Sequence, residues 1–273
     1  MRLTTKIVIG FSIFIFISSL VWIIVPSTLD ELESKKLSIS QENIISIEVK
    51  PYKTIIMENE PNIGEKYRVY PQGIISIKPI NISEEENKLF VPEELALFTD
   101  FISSNDTLII RLKTKDLYEK YVTRIRRNKN RFPTVGGFNL SVYTNAVDIK
   151  NSLSWIATDV RNIKTDKIKI DTSGKLSIDS CQANVIEPYM RNYFVNFQLS
   201  NSQAKELNID LDWEVKNFII RNCDIEVENL TGTNPRNVGI KRSDAKVVNW
   251  IPETKYAELN ITLYSDTARI VFP

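Results

Sequence analysis

A motif that recurs every twenty or so residues restricts a chain to stacked architectures, because so short a unit cannot bury its own apolar face and must share a core with its copies. Such a motif runs through the C-terminal half of this sequence. Leu176-Ser-Ile-Asp-Ser-Cys-Gln-Ala-Asn-Val185 aligns with Phe197-Gln-Leu-Ser-Asn-Ser-Gln-Ala-Lys-Glu206 and with Phe218-Ile-Ile-Arg-Asn-Cys-Asp-Ile-Glu-Val227, a period of ~21 residues. A fourth copy, Ser243-Asp-Ala-Lys-Val247, follows at a slightly shorter step. Ser265-Asp-Thr-Ala-Arg-Ile270 makes a fifth, and Trp155-Ile-Ala-Thr-Asp-Val160 precedes the set. Leu176 and Ile178 alternate as on a strand with one buried face, and Cys181, Ala183 and Val185 continue the alternation in shifted phase. A shift of phase between two strands is a corner. Small side chains suit its inside, which gives Ser180, Asn201, Asn222, Cys181, Ser202, Cys223 and Ser243 a structural reason. Stacked Asn201 and Asn222 are placed to pair their amides along the axis.

The pattern predicts a mainly β chain, a right-handed β-solenoid or β-helix-like domain of ~21-residue rungs. The alternative is a β-sandwich whose strands recur at similar intervals, which the scarcity of corner glycines favours. The cysteines discriminate between registers. Two cysteines in an exported chain ordinarily form one disulfide. Here Cys181 and Cys223 hold the same repeat position two rungs apart, so at ~4.8 Å per rung their Cα atoms stand about 9 to 10 Å apart. A disulfide needs ~7 Å or less. The repeat therefore predicts two buried thiols above and below Ser202.

Composition removes several chemistries. With no histidine in 273 residues, no imidazole base, Ser-His-Asp triad or HExxH zinc site can be built. Thirty-five basic residues against 34 acidic ones leave no one-sided charge of the kind that marks nucleic-acid binders. The eight glycines form neither a GxxxxGK nor a GxGxxG loop. No cofactor and no metal site is expected.

The N-terminus predicts one transmembrane helix. Residues 7–25, IVIGFSIFIFISSLVWIIV, carry no charge and approach the ~20 residues needed to cross a bilayer; Pro26 ends them. Arg2 and Lys6 precede this segment, and Asp30, Glu31 and Glu33 follow it, so the positive-inside bias places the C-terminal part outside the cytoplasm. The alternative is a cleaved signal peptide and secretion, against which stand the length of the run and the absence of an A-x-A-like site. The expected organisation is a signal-anchor over 1–26, a tether over 27–43, a β-rich part with short helices over 44–135 and the repeats over 136–273. Within 44–135 the segments IISIEV, KTIIM, GIISIKPINI and TLIIRLK read as strands. Pro92-Glu93-Glu94-Leu95 and the following ALFTDFI read as one short helix, and residues 116–131 as a helix with a basic tail from Arg124 to Arg131.

These features resemble the GIN-type head domain found in adhesin-like proteins of Bacteroidota, a β-solenoid-like domain behind a signal or anchor. The similarity covers roughly residues 44–273. Ile45-Ser-Ile-Glu-Val-Lys-Pro-Tyr-Lys-Thr-Ile-Ile-Met57 looks like the family's opening strand pair, Ser104-Asn-Asp-Thr-Leu-Ile-Ile-Arg111 like its next strand, and Phe138-Asn-Leu-Ser-Val-Tyr-Thr144 like the entry to its solenoid. Ala183, Ala204, Ala245 and Ala268 resemble its recurring small-residue rungs. The family's rung glycines are replaced here by Cys181, Ser202, Cys223 and Asp244. The resemblance implies an adhesin-like binding module and carries no catalytic residues.

Two surface constellations remain. Tyr189 and Tyr193, with Trp213 and Trp250, are candidates for an aromatic platform that binds an envelope glycan or protein, the alternative being inward packing. Asp210 and Asp212 are candidates for an acid/base pair or cation site on one strand face, as in a polysaccharide-acting enzyme on a β-helix. Asp106-Thr-Leu and Asp266-Thr-Ala match a short acceptor pattern for O-glycosylation. The expectation is a non-enzymatic, membrane-anchored, extracytoplasmic β-solenoid of the cell envelope, in the periplasm or secreted, that binds no nucleic acid. Asp210 and Asp212 carry the alternative, an enzyme. About six rungs of ~4.8 Å give a stack only about 30 Å tall.

Overall fold

The computed structural model describes residues 37–61, 64, 67–80, 87–122, 133–144, 147–191, 196–212, 217–240, 245–263 and 270–271. The expected membrane segment (7–25) and tether up to residue 36, the basic tail, Tyr193, Trp213, Ser243 and the Asp266 pattern lie outside them. Among the described residues no helix is long and apolar enough to cross a membrane. The chain divides into two units, Met1–Ser38 and Ile39–Pro273, and every element named below belongs to the second.

Before the repeats come β1 (Ile44–Glu48), β2 (Thr54–Asn59), β3 (Tyr70–Lys78), β4 (Lys88–Pro92), α1 (Glu93–Leu97), β5 (Thr99–Ser104), β6 (Thr107–Leu112), α2 (Thr114–Tyr121), β7 (Thr134–Tyr143) and β8 (Asp148–Asn151). The repeats supply β9 (Ile156–Arg161), β10 (Lys164–Thr172), β11 (Leu176–Asp179), β12 (Gln182–Met190), β13 (Asn196–Ser200), β14 (Gln203–Asp210), β15 (Asn217–Arg221) and β16 (Asp224–Gly232). The last are β17 (Arg236–Ile240), β18 (Ala245–Pro252), β19 (Leu259–Leu263) and β20 (Ile270–Val271). The fold is mainly β, in two large sheets. One runs β1-β4-β7-β3-β9-β11-β13-β15, the other β20-β18-β16-β14-β12-β10-β8-β2-β6-β5, and β17 pairs with β19 separately.

The repeat period sets this pairing directly. Leu176 stands beside Phe197 and Phe197 beside Phe218, while Gln182 stands beside Gln203 and Gln203 beside Asp224, all in parallel register. Copies one period apart thus become lateral neighbours, and each pass of the chain lays one strand in each sheet. The earliest and the fourth copies pair across slightly shorter steps, Thr158 beside Leu176 and Ile225 beside Ala245. Apolar rows fill the space enclosed: Val160, Ile178, Leu199 and Ile220 from the first sheet, Ile168, Ile186, Leu207 and Val248 from the second, each at 5% exposure or less. Each such aliphatic side chain contributes about 1.5 to 3 kcal/mol on burial. Glu228, fully buried, takes the place of an aliphatic residue between Leu207 and Val248.

Residues 44–135 and 136–273, distinct parts in the sequence reading, share both sheets. β3 lies between β7 and β9, and β2 between β6 and β8, so the earlier segment is threaded into the stack. The antiparallel pairs β1–β4, β4–β7 and β5–β6 all belong to this N-terminal end. Gly73 is required where β3 meets β7: a Cβ there would stand 2.0 Å from the Phe138 carbonyl oxygen, beside a shift in register.

The expected helix at Pro92 is shorter than read. Glu93 and Glu94 suit its first turn, where the helix dipole favours anions. It stops at Leu97, and Thr99-Asp-Phe-Ile-Ser-Ser104 instead forms β5, paired along its length with β6. Asn105 and Asp106, at φ 48° and 57°, close that hairpin in the left-handed conformation its tight turn needs. Cross-strand pairing outweighs the helical periodicity of these residues.

Candidate functional site

Each repeat pass is interrupted twice, once by a corner and once by a bend, and the two differ in what their side chains do. At the corner the chain leaves the first sheet through one residue of positive φ: Asn162 at 58°, Ser180 at 56°, Asn201 at 49° and Asn222 at 55°. Asparagine tolerates this region better than other non-glycine residues, which accounts for three of the four. All four are exposed, so Ser180, Asn201 and Asn222 are on the outside of the corner and not, as expected from their size, on its inside. The residue after each is buried: Ile163, Cys181, Ser202 and Cys223.

Backbone pairing continues through the corner. The N–H of Asn162, Ser180 and Asn201 donates forward to the carbonyls of Asp179, Ser200 and Arg221 at 3.0 to 3.1 Å, and the N–H of Gln182, Gln203 and Asp224 donates back to Ile163, Cys181 and Ser202 at 2.8 to 2.9 Å. The buried small residues complete it. Ser202 Oγ accepts the Cys181 N–H at 3.0 Å and donates to the Ser200 carbonyl at 2.7 Å. The Cys181 and Cys223 thiols approach the carbonyls of Asp179 and Arg221 at 3.3 and 3.2 Å, also two residues back. Serine and cysteine are interchangeable here because both are small and both carry a donor. Neither cysteine is a half-cystine, and burial pushes the Cys181 thiol up to about 11.

Outside the corner a polar ladder joins successive passes. Asp179 accepts from Ser200 Oγ at 2.6 Å and from Asn201 Nδ2 at 2.8 Å, and Asn222 Nδ2 donates to Asn201 Oδ1 at 3.4 Å. The Ser200 hydroxyl, with the Asn201 amide, holds the Asp179 carboxyl below the usual carboxylate range. A second ladder, at the repeat period but beyond the aligned motif, runs along the other sheet: Asn249 Nδ2 donates to Asn229 Oδ1 at 3.0 Å, and Asn229 Nδ2 to Asn208 Oδ1 at 2.8 Å.

The bend lies within the strands of the second sheet. After Ala183 the next inward residue is Ile186, three positions on, so Val185 is only half buried and does not carry the alternation inward. Ala204 and Leu207 repeat this spacing, as do Ala245 and Val248. The pairing register skips one residue per strand at this point: Asp166, Asn184, Lys205, Glu226 and Lys246. The bend opens a groove of about 550 Å³ across β10, β12, β14 and β16. Ala183 and Ala204, 6% and 5% exposed, form its floor. One flank carries Lys164, Gln182, Gln203 and Asp224, the other the skipped residues Asp166, Asn184, Lys205 and Glu226.

The residues expected to form a site are dispersed or structurally engaged. Trp250 is buried at 7% and packs over Gly232, where a Cβ would stand 3.0 Å from the indole ring, so Trp250 belongs to the core and not to a surface platform. Tyr189 lies half-buried on the second sheet, where burial and then the Glu187 carboxylate raise its hydroxyl. Asp210 and Asp212 do not share a strand face: Asp210 ends β14 and Asp212 lies in the turn beyond it. Asp210 Oδ1 accepts the Asp212 N–H at 2.9 Å, and both Asp212 oxygens accept the Thr233 N–H at 2.9 Å, with the Thr233 hydroxyl also donating to Asp212. These carboxylates cap turns in consecutive passes. Among the described residues no cluster of three or more Cys, Asp or Glu side chains could hold a metal ion.

One surface aromatic pair was missed. Tyr70 and Trp155 pack at 5.3 Å between ring centroids, with Trp155 52% exposed and Ile74 exposed in the same sheet. They are far apart in the chain and meet only because β3 lies beside β9.

No family model and no curated protein matches the chain. Among solved structures it is similar to a “putative adhesin” from Bacteroides fragilis NCTC 9343, at 11% identity and a TM-score of 0.40, over 86% of this chain and 99% of that one. It is also similar to one so described from Parabacteroides merdae ATCC 43184, at 9% identity and a TM-score of 0.34, over 86% of this chain and 98% of that one.

Proposed function

We propose that the chain is a non-enzymatic β-solenoid of a bacterial cell envelope, a right-handed coil of ~21-residue rungs that acts as an adhesin-like binding or scaffolding module. In this reading residues 7–25 anchor it in the inner membrane and residues 39–273 are extracytoplasmic. One observation carries it: the carboxylates and amides that recur along the stack, including Asp179, Asp210, Asp212, Asn201 and Asn229, are engaged in bonds between or within passes. Their chemistry is spent on holding a regular stack, which leaves a repeated outer surface as the part free to act. The right-handed sense follows from the general handedness of connections between parallel strands.

Protease treatment of intact and osmotically opened cells, following an epitope placed after Pro273, tests the placement. Loss of the tag on intact cells supports an adhesin at the surface. A ten-stranded stack, about 43 Å tall at ~4.8 Å per strand, held at an inner membrane is too short to reach it, so that result also requires release from the anchor or a single-membrane host. Loss only after opening supports a periplasmic scaffold. Survival in opened cells with intact inner membranes would overturn the extracytoplasmic reading.

A further inference from the structure

We infer that the groove across β10, β12, β14 and β16 binds a linear, uncharged glycan chain along the stacking axis. This rests on the reading of the chain as a non-enzymatic binding module and names the ligand class of its repeated surface. The groove follows from the fold: each of the four strands bends at one skipped residue, beside Thr165, Ala183, Ala204 and Ile225 in turn, so the depression continues from pass to pass. Its middle is amide-rich. Gln182 and Gln203 present exposed side-chain amides that make no bond within the described residues, beside Asn184, whose Nδ2 donates to Asp166 Oδ1 at 3.0 Å. An amide offers two donors and an acceptor, which matches vicinal hydroxyls acting in both senses.

Charge and spacing select the ligand. One flank carries Lys164 and Asp224, the other Asp166, Lys205 and Glu226, and Lys246 pairs with Asp224 at 3.2 Å just beyond the groove. The charges offset one another and leave no field to hold a polyanion. Gln182 and Gln203 stand on adjacent strands, ~4.8 Å apart, close to the advance of one pyranose unit in an extended chain, whereas like-facing residues of an extended peptide recur at ~6.7 Å. Four strands span about 14 Å between the outermost two, room for three or four sugar units. The alanine floor lets a sugar ring approach the backbone.

The test uses the full chain in a detergent without a sugar headgroup. An array of linear neutral oligosaccharides of two to six units is set against anionic oligosaccharides and extended peptides. Binding of neutral chains is expected, tightening up to three or four units and then levelling. Gln182→Ala with Gln203→Ala should weaken it at least tenfold with the melting temperature unchanged, and Trp155→Ala should leave it intact. The inference is overturned if no neutral oligosaccharide binds, if anionic chains or peptides bind in preference, if the double variant binds normally, or if Trp155→Ala abolishes binding and so moves the site to the aromatic pair. Shortening of a bound oligosaccharide would overturn the non-enzymatic reading and leave the site in place. Absence of binding would remove the site and leave that reading untouched.

Discussion

The corner and the bend are both interruptions of a β pass, a few residues apart on the same strands, yet they are built in opposite ways. At the corner the backbone groups, the buried thiol or hydroxyl and the outer amides of Asn201 and Asn222 bond within the chain, largely to the neighbouring pass. At the bend the skipped residue leaves the ladder, and the glutamines beside it keep their side-chain amides open. A closed interruption is architecture, since removing its buried hydroxyl leaves a buried N–H unsatisfied and removing an outer amide breaks a bond between passes. An open one is surface, where substitution exposes only water to water. Stability should therefore be concentrated at the corner and binding at the bend.

The largest effect that would sharpen this contrast is expected from Asn201→Pro. Proline cannot adopt φ 49° and has no N–H for the Arg221 carbonyl, so the loss should exceed about 3 kcal/mol and abolish cooperative thermal unfolding. A normal melt would mean that the corner is not the rigid element described. Next comes Ser202→Val, which removes both the acceptor for the Cys181 N–H and the donor to Ser200; denaturant titration should show a loss of about 2 to 3 kcal/mol. Cys181→Ser, which keeps size and donor, should stay within about 1 kcal/mol of the parent. Equal losses in the two would argue for packing alone.

A smaller, pH-dependent effect belongs to Asp179. Its carboxyl ionises at lower pH in the folded chain than in the unfolded one, so it stabilises the fold above the unfolded value of about 3.9 and ceases to do so as pH falls through the folded value. Stability measured from pH 6 down to acid should fall less steeply in Asp179→Asn than in the parent. Identical slopes would detach Asp179 from the ladder. The smallest effect is expected at the bend: Asn184→Ala should shift stability by no more than about 0.5 kcal/mol, and a loss as large as that of Ser202→Val would erase the distinction between corner and bend.

Much of the stack was legible because a short repeat becomes a pairing register: residues aligned one period apart are lateral neighbours, and Cys181, Ser202 and Cys223 occupy equivalent places. The corner was legible in position but not in orientation. Size suggested that Asn201 and Asn222 face inward, while the governing property is their tolerance of positive φ. The bend left a signal that alternation alone overlooks, the three-residue step from Ala183 to Ile186 and from Ala204 to Leu207. Trp250 and the Asp210–Asp212 pair were misplaced because residue type was read as surface chemistry where packing and turn-capping had already claimed it.

The sequence by itself determined the mainly β character, the period and the lateral partners of the repeats, since these depend on alternation and on spacing along one chain. Only the tertiary structure decided that β2 and β3 thread between later strands, that Tyr70 meets Trp155, and that the bends align into a groove. These are contacts between segments far apart in the chain. No local preference encodes them, because they arise when apolar rows from both sheets are closed against one another and the earlier strands must share that core.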